Sequence, residues 1–275
     1  MSFININGKI TPVDKAVIAP DNRAFRYGYG LFETMLYQNG ALQLKDLHFK
    51  RLFSGLQQLD IVLPALYTQS WIEENIAKTV QRNNLEECCR VRLQVYAGDG
   101  GLYEKNTHPG IVIECFPIDE GTLQLNENGL AVGFAAGIQK SADSLANLKS
   151  CNALVYAIAA QQAMTSKWND ALISNTNNHI IESTIANVFW IKGGAIYTPP
   201  LKDGCVAGVM REHIMSTLAY HKIDIQQQNL DIKTLLQADE VFLTNAIRKI
   251  RWVGILGDKI FTNSYTRHLW QLLFA

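Results

Sequence analysis

Alternating apolar and polar positions begin almost at once. Phe3-Ile4-Asn5-Ile6 followed by Asn7-Gly8 reads as a short strand and its turn. Residues 31–37 form a longer strand that runs into Gln38-Asn39-Gly40, and Asn-Gly is a strong signal for a two-residue hairpin. Ala41-Leu42-Gln43-Leu44 is the returning strand. Asp46 is then placed to cap a helix whose Leu52, Leu56 and Leu59 recur near helical spacing. A second helix is expected over residues 69–83. Residues 90–96 alternate at period two and end in Gly98-Asp99-Gly100-Gly101, and residues 110–116 form a nearly continuous apolar strand.

Pro117-Ile118-Asp119-Glu120-Gly121-Thr122 breaks the pattern and marks a linker. The expected division is an N-terminal α+β domain over 1–116, a linker over 117–123 and a C-terminal domain over 124–275. In that second part, 130–137 reads as a strand and 150–166 as an alanine-rich helix. Hairpins are expected to turn at 175–178 and at Gly193-Gly194. A helix follows over 209–221, then strands at 241–244 and 250–256, and a last helix over 265–274. Strands and helices do not alternate regularly, which indicates an α+β fold and not a doubly wound sheet.

Composition narrows the function classes. Twenty-five basic and 25 acidic residues give zero formal net charge, so no footprint for nucleic acid or an acidic membrane surface is expected. No apolar run reaches the length of a membrane span, and the N-terminus lacks a signal-peptide pattern. Cys88, Cys89, Cys115, Cys151 and Cys205 have neither metal-type nor redox-type spacing, so buried free thiols in a reducing cytoplasm are expected. The six histidines are scattered and support no metal cluster. Tyr27-Gly28-Tyr29-Gly30 lacks the third glycine and the preceding strand of a dinucleotide loop. No Gly-x-Ser-x-Gly elbow is present.

Charge nearly vanishes over residues 144–191. Between Asp143 and Lys167 the only formal charge is Lys149; between Asp170 and Lys192 it is Glu182. Burying such a charge costs several kcal/mol unless it is paired. A desolvated lysine has a lowered pKa and acts as a free amine nucleophile, the requirement for a Schiff base. The alternative for each is a rim position with the charged head in water. Arg51 has the geometry for bidentate phosphate contact, with a solvated surface role as its alternative. Gly204-Cys-Val-Ala-Gly208-Val-Met-Arg211 puts a glycine before a helix, where free N–H groups and the helix dipole favour an anion. A secluded amine, a secluded acid, an arginine and a glycine-led helix start together suit pyridoxal 5'-phosphate.

The same segments, in the same order, resemble class IV aminotransferases, the pyridoxal-phosphate group that includes branched-chain and D-amino-acid aminotransferases and aminodeoxychorismate lyase. The resemblance runs through 21–34, His48-Phe-Lys-Arg51-Leu, Leu148-Lys149-Ser-Cys-Asn152, Glu182-Ser-Thr-Ile-Ala-Asn187-Val-Phe, Gly208-Val-Met-Arg211 and 240–246. It implies a two-domain D-amino-acid-aminotransferase-like fold (fold type IV) with the cofactor between the domains, and a homodimer. Lys149, in the C-terminal domain, would be the Schiff-base lysine and proton shuttle. Glu182 would pair with the pyridine nitrogen, Arg51 would bind the phosphate, and Val209 and Met210 would offer it backbone N–H groups. Asn187, Asn245 and Ala246 complete the implied cofactor set. Ala246 stands where transaminases often have a threonine, which leaves only backbone donation there.

Residues 97–103 contain no Arg-x-His trap of the D-amino-acid aminotransferase kind, and Thr244-Asn-Ala246 looks more like the lyase string. Tyr29 replaces the usual aspartate and Ala97 the lyase arginine. Arg26, Tyr27, Tyr29, Tyr96 and Arg248 are the candidate substrate contacts, with Arg251 a further carboxylate candidate. The leading expectation is cleavage of 4-amino-4-deoxychorismate to 4-aminobenzoate and pyruvate. Amino transfer between an amino acid and a 2-oxo acid is the alternative, and a catalytically silent binding protein on this scaffold is the third. The expected partner is a small-molecule amino substrate.

Overall fold

Asn7 and Gly8, both at positive φ, turn strand β1 (Phe3–Ile6) back into β2 (Lys9–Pro12). The computed structural model describes residues 2–104 and 108–274. By internal contacts the chain forms two compact units: Met1–Glu120 with Lys149–Ala153, and Gly121–Leu148 with Leu154–Ala275.

In the first unit a short helix α1 (Arg23–Tyr27), capped by the Asn22 side chain, precedes β3 (Gly30–Gln38) and β4 (Ala41–Leu42). Helices α2 (Lys45–Gln58) and α3 (Gln69–Arg82) follow, then β5 (Cys88–Tyr96) and β6 (Gly110–Pro117). The antiparallel sheet has the order β2-β1-β6-β5-β3-β4. Register pairs Leu31 with Val95, Glu33 with Leu93 and Met35 with Val91, and period-two alternation puts all six on one face. That face is the core: Val91, Leu93 and Val95 are buried, as are Phe49, Leu52 and Leu56 of α2 and Ile72, Ile76 and Val80 of α3. Phe32, Arg92 and Gln94 belong to the other face.

The second unit contains β7 (Leu130–Phe134), α4 (Leu154–Thr165), β8 (Asp170–Ser174), β9 (Ile180–Ser183), β10 (Asn187–Lys192) and β11 (Ala195–Thr198). Helix α5 (Val209–Tyr220), β12 (Ile225–Gln227), α6 (Ile232–Leu236), β13 (Glu240–Asn245), β14 (Lys249–Leu256), β15 (Lys259–Ile260) and α7 (Ser264–Phe274) complete it. Pairing runs β10-β13-β14-β7-β8-β9, and β9 pairs back onto β10 through Glu182 opposite Asn187. The ring closes as a barrel, which removes the unpaired edges an open sheet would leave. Val132, Leu172, Val188, Trp190, Val241, Leu243 and Val253 pack in its core.

Several expectations need correcting. Asp46 does not cap α2: Leu44 takes the N-cap position in a left-handed conformation, and Asp46 sits in the first turn, where its charge favours the helix dipole. The strand expected over 130–137 ends at Phe134. The alanine-rich helix starts at Leu154, not at 150, because the preceding residues lie against β3. Phe32 N–H donates to Lys149 O at 3.0 Å, Cys151 N–H donates to Gly30 O at 2.9 Å, and Leu31 bridges Ser150. These bonds put Lys149–Ala153 in the first unit, whereas the sequence expectation put Lys149 in the C-terminal domain.

Candidate active site

Lys149 is held by its backbone along β3, and its ammonium lies 4.5 Å from the centre of the Phe32 ring. Arg92 approaches the same ring at 4.0 Å and donates to Gln94 Oε1 at 3.1 Å. A predicted nucleophilic amine and a guanidinium therefore share one aromatic platform on the face of β3 away from the core. The sequence reading missed Phe32 and Arg92. Their signal was the alternation of β3 and β5, which puts Phe32 diagonal to Arg92 once the register is known.

Arg51 is reached from the core face. Glu33 is only 2% exposed there, and Arg51 and His48 of α2 bond to it. Arg51 Nε donates to Glu33 Oε1 at 2.8 Å, a terminal nitrogen of the same guanidinium contacts Oε2, and His48 Nδ1 lies 2.6 Å from Oε2. Burial alone would raise the Glu33 pKa, but Arg51 and His48 together hold it below the ordinary carboxylate value. His48 Nε2 is buried without a hydrogen-bond partner. The planar guanidinium of Arg51 is thereby fixed in orientation, which bidentate anion recognition requires.

In the second unit Glu182 is 3% exposed and heavily bonded. Its Oε1 accepts from Lys140 Nζ at 2.7 Å and from the Tyr156 hydroxyl at 2.8 Å; its Oε2 accepts from Val206 N–H at 2.8 Å. Burial, followed by the charge and hydrogen bond of Glu182, pushes the Tyr156 phenol well above its ordinary value. Asn187 braces the loop that carries Val206, donating Nδ2–H to Val206 O at 2.9 Å. Its Oδ1 lies where a Cβ on Gly208 would come within 1.8 Å. Gly208 caps α5 without any side-chain bond, so the first turn of Val209 and Met210 begins bare. Across the β10–β13 pair from Asn187 lies Thr244, whose Oγ1 is buried with no partner. A bare helix start, a glycine where no side chain fits and an orphaned hydroxyl suit a phosphate; a carboxylate with one acceptor position left suits a ring nitrogen. The residues present fit pyridoxal phosphate.

The substrate candidates fare differently. Tyr29 is committed to the fold: its hydroxyl donates to Leu59 O at 2.6 Å and Arg23 lies over its ring. Tyr96 is buried, and its hydroxyl accepts from Asn7 Nδ2 at 3.2 Å. Arg251 is spent on the carbonyls of Thr122 and Gln124. Asn245 uses its side-chain oxygen to close the turn, accepting from Ile247 and Arg248 N–H. Arg26 reaches Gly100 O at 3.4 Å, while Tyr27 and Arg248 are exposed.

Residues 30–254 match the family model described as amino-transferase class IV. The chain belongs to the class IV aminotransferases. Among curated relatives, the aminodeoxychorismate lyase of Bacillus subtilis (strain 168) is 29% identical over 255 residues, covering 90% of this chain and 84% of the relative. A solved putative 4-amino-4-deoxychorismate lyase from Legionella pneumophila is 29% identical with a TM-score of 0.85, covering 97% of this chain and 96% of that one. A hypothetical aminotransferase from Mycobacterium tuberculosis, solved in its PLP-bound form, matches in fold at a TM-score of 0.84 and 17% identity, covering 99% of this chain and 97% of that one. This class IV enzyme therefore has the expected α+β, fold type IV architecture and uses pyridoxal 5'-phosphate. Among the described residues no helix is long and apolar enough to cross a membrane.

Proposed function

We propose that this class IV enzyme is a 4-amino-4-deoxychorismate lyase, releasing 4-aminobenzoate and pyruvate. The observation that carries the chemistry common to lyase and transaminase is the pairing of Lys149 with Arg92 over Phe32: an amine for the reaction beside a guanidinium for a substrate carboxylate. Two lyase-named relatives at 29% identity, one by sequence and one by structure, support the lyase over amino transfer.

Bound pyridoxal phosphate supplies a sink for the electron pair left on the substrate carbon. Lys149 Nζ takes the proton from the carbon that bears the substrate nitrogen. Arg92 orients a carboxylate of the substrate, and the departing enolpyruvate takes up a proton to become pyruvate. Glu182 holds the proton at the ring nitrogen. Arg51 and the N–H groups of Val209 and Met210 hold the phosphate, while Asn187 keeps their loop in place. We assign the enzyme to the cytoplasm on the strength of its five free cysteines, and to a homodimer by analogy with its family.

The test is incubation of the holoenzyme with 4-amino-4-deoxychorismate and assay of 4-aminobenzoate. Pyridoxamine phosphate accumulating from an amino acid alone, with no 4-aminobenzoate formed, would overturn the lyase reading in favour of amino transfer. Lys149→Ala should keep the fold, lose the visible band of the lysine-bound cofactor, and lower turnover by roughly 10²–10⁴-fold. A variant that retains that band removes Lys149 from its role.

A further inference from the structure

Glu182 is not a lone acid. An ionised carboxylate offers about four acceptor positions, and three are filled by Lys140, Tyr156 and Val206 N–H. Both Lys140 and Tyr156 end on Oε1, so the remaining position belongs to Oε2. The Lys140 ammonium is itself mostly sequestered, with 12% side-chain exposure, and it also lies 5.2 Å from the centre of the Tyr156 ring. The other titratable group that senses Glu182 is Cys205. Burial first, and then the Glu182 charge, push that thiol up to about 12, while Arg211 and Lys140 oppose the rise and Asp203 adds to it. Among the described residues, Lys140 is thus the one cation in direct contact with a carboxylate that would otherwise be buried alone.

We propose that Lys140 is a positioning residue that keeps Glu182 ionised before the cofactor arrives, with Oε2 turned to receive the ring nitrogen. The inference rests on the assignment of Glu182 to that nitrogen. Its consequence is a proton balance. The pyridine nitrogen of free pyridoxal phosphate is already protonated near neutral pH, so pairing it with a charged Glu182 exchanges no proton there. Without the lysine charge, a buried carboxyl is neutral in the free protein and releases its proton as it pairs with that pyridinium.

The proton exchanged on binding pyridoxal phosphate at neutral pH should therefore be measured, by calorimetry in buffers of different ionisation enthalpy, for the native protein and for Lys140 variants. Comparing the proteins cancels the proton changes at Lys149 and the phosphate. Lys140→Arg should match the native protein, while Lys140→Met and Lys140→Gln should each release about one proton more. The glutamine variant still donates a hydrogen bond, so it separates charge from mere bracing and stands in if the methionine variant does not fold. Infrared spectra of the apoprotein should show a protonated carboxylic acid in both neutral variants, absent when Glu182→Gln is added. Proton release in Lys140→Gln equal to that of the native protein, with no protonated acid in its infrared spectrum, overturns the role of Lys140 and leaves Glu182 at the ring nitrogen. A protonated Glu182 that appears in Lys140→Gln but gives up no proton when pyridoxal phosphate binds overturns Glu182 at the ring nitrogen.

Discussion

Glu33 faces the apolar core of the first unit, and its charge survives there because α2 brings Arg51 and His48 to it. Its folded pKa lies below the reference value of 4.5, so its contribution to stability is present above about that pH. The contribution is lost as pH falls through the folded value. Glu33→Gln should therefore cost about 3 kcal/mol near neutrality, and the gap to the native protein should narrow on acidification below about pH 4.5. Urea denaturation of both proteins across the acid range checks this; a gap independent of pH would remove the ion pair from the account. Arg92→Gln should lower kcat/KM for 4-amino-4-deoxychorismate by roughly 10–100-fold while leaving the lysine-bound cofactor band unchanged. An unaltered kcat/KM would reject Arg92 as the carboxylate contact. Lys149 and Glu182 stand out in the sequence as isolated charges in a charge-poor stretch; Glu182 is 3% exposed, whereas Lys149 is half-buried. Lys140 does not stand out, since it precedes Asp143 and so lies outside that stretch. The partnership of Glu33 with Arg51 and His48 joins a strand to a helix, and no sequence period announces such a contact.

Local chemistry made some elements plain. Asn39-Gly40 and Gly193-Gly194 both turn with positive φ at each residue, as two-residue hairpins demand. Helix α1 and the start of α4 were less visible, because one is five residues long and the other is delayed by pairing of 150–151 with β3. The start of α5 is where element and function meet. Gly208 has an ordinary φ of −69°, so its need for glycine comes from space, not from backbone conformation. A Cβ there meets Asn187 Oδ1, and relieving the clash means moving the amide that braces Val206. Gly208→Ala should weaken pyridoxal phosphate binding by about tenfold or more and destabilise the apoprotein by about 1–3 kcal/mol. Combining it with Asn187→Ala should recover part of the stability loss, giving a non-additive interaction of about 1 kcal/mol. Fluorescence titration of cofactor and thermal melts of the four proteins supply the cycle. Strict additivity would mean the two residues do not act through one another.

At the scale of the molecule, Pro117 and Gly121 mark an expected linker over 117–123, and the contact division falls at Glu120. The return of Lys149–Ala153 to the first unit was not readable, because backbone bonds to β3 leave no mark on side-chain pattern. Lys149 belongs to the first unit, and Glu182, Gly208 and Thr244 belong to the second. A ligand that binds only the folded protein stabilises it by mass action, about 2.7 kcal/mol at a hundred times its Kd. For a chain of this length each kcal/mol moves Tm by about 2–4 °C, so excess pyridoxal phosphate should raise Tm by roughly 5–10 °C over the apoprotein. On the roles proposed above, Lys149→Ala removes the covalent attachment and leaves the phosphate seat, so its shift should be smaller yet present. Scanning calorimetry of apo and cofactor-loaded forms of both proteins measures the two shifts. Equal shifts would mean that covalent capture adds nothing to affinity; a complete loss in the variant would mean that the bare start of α5, Gly208 and Arg51 do not bind phosphate without it.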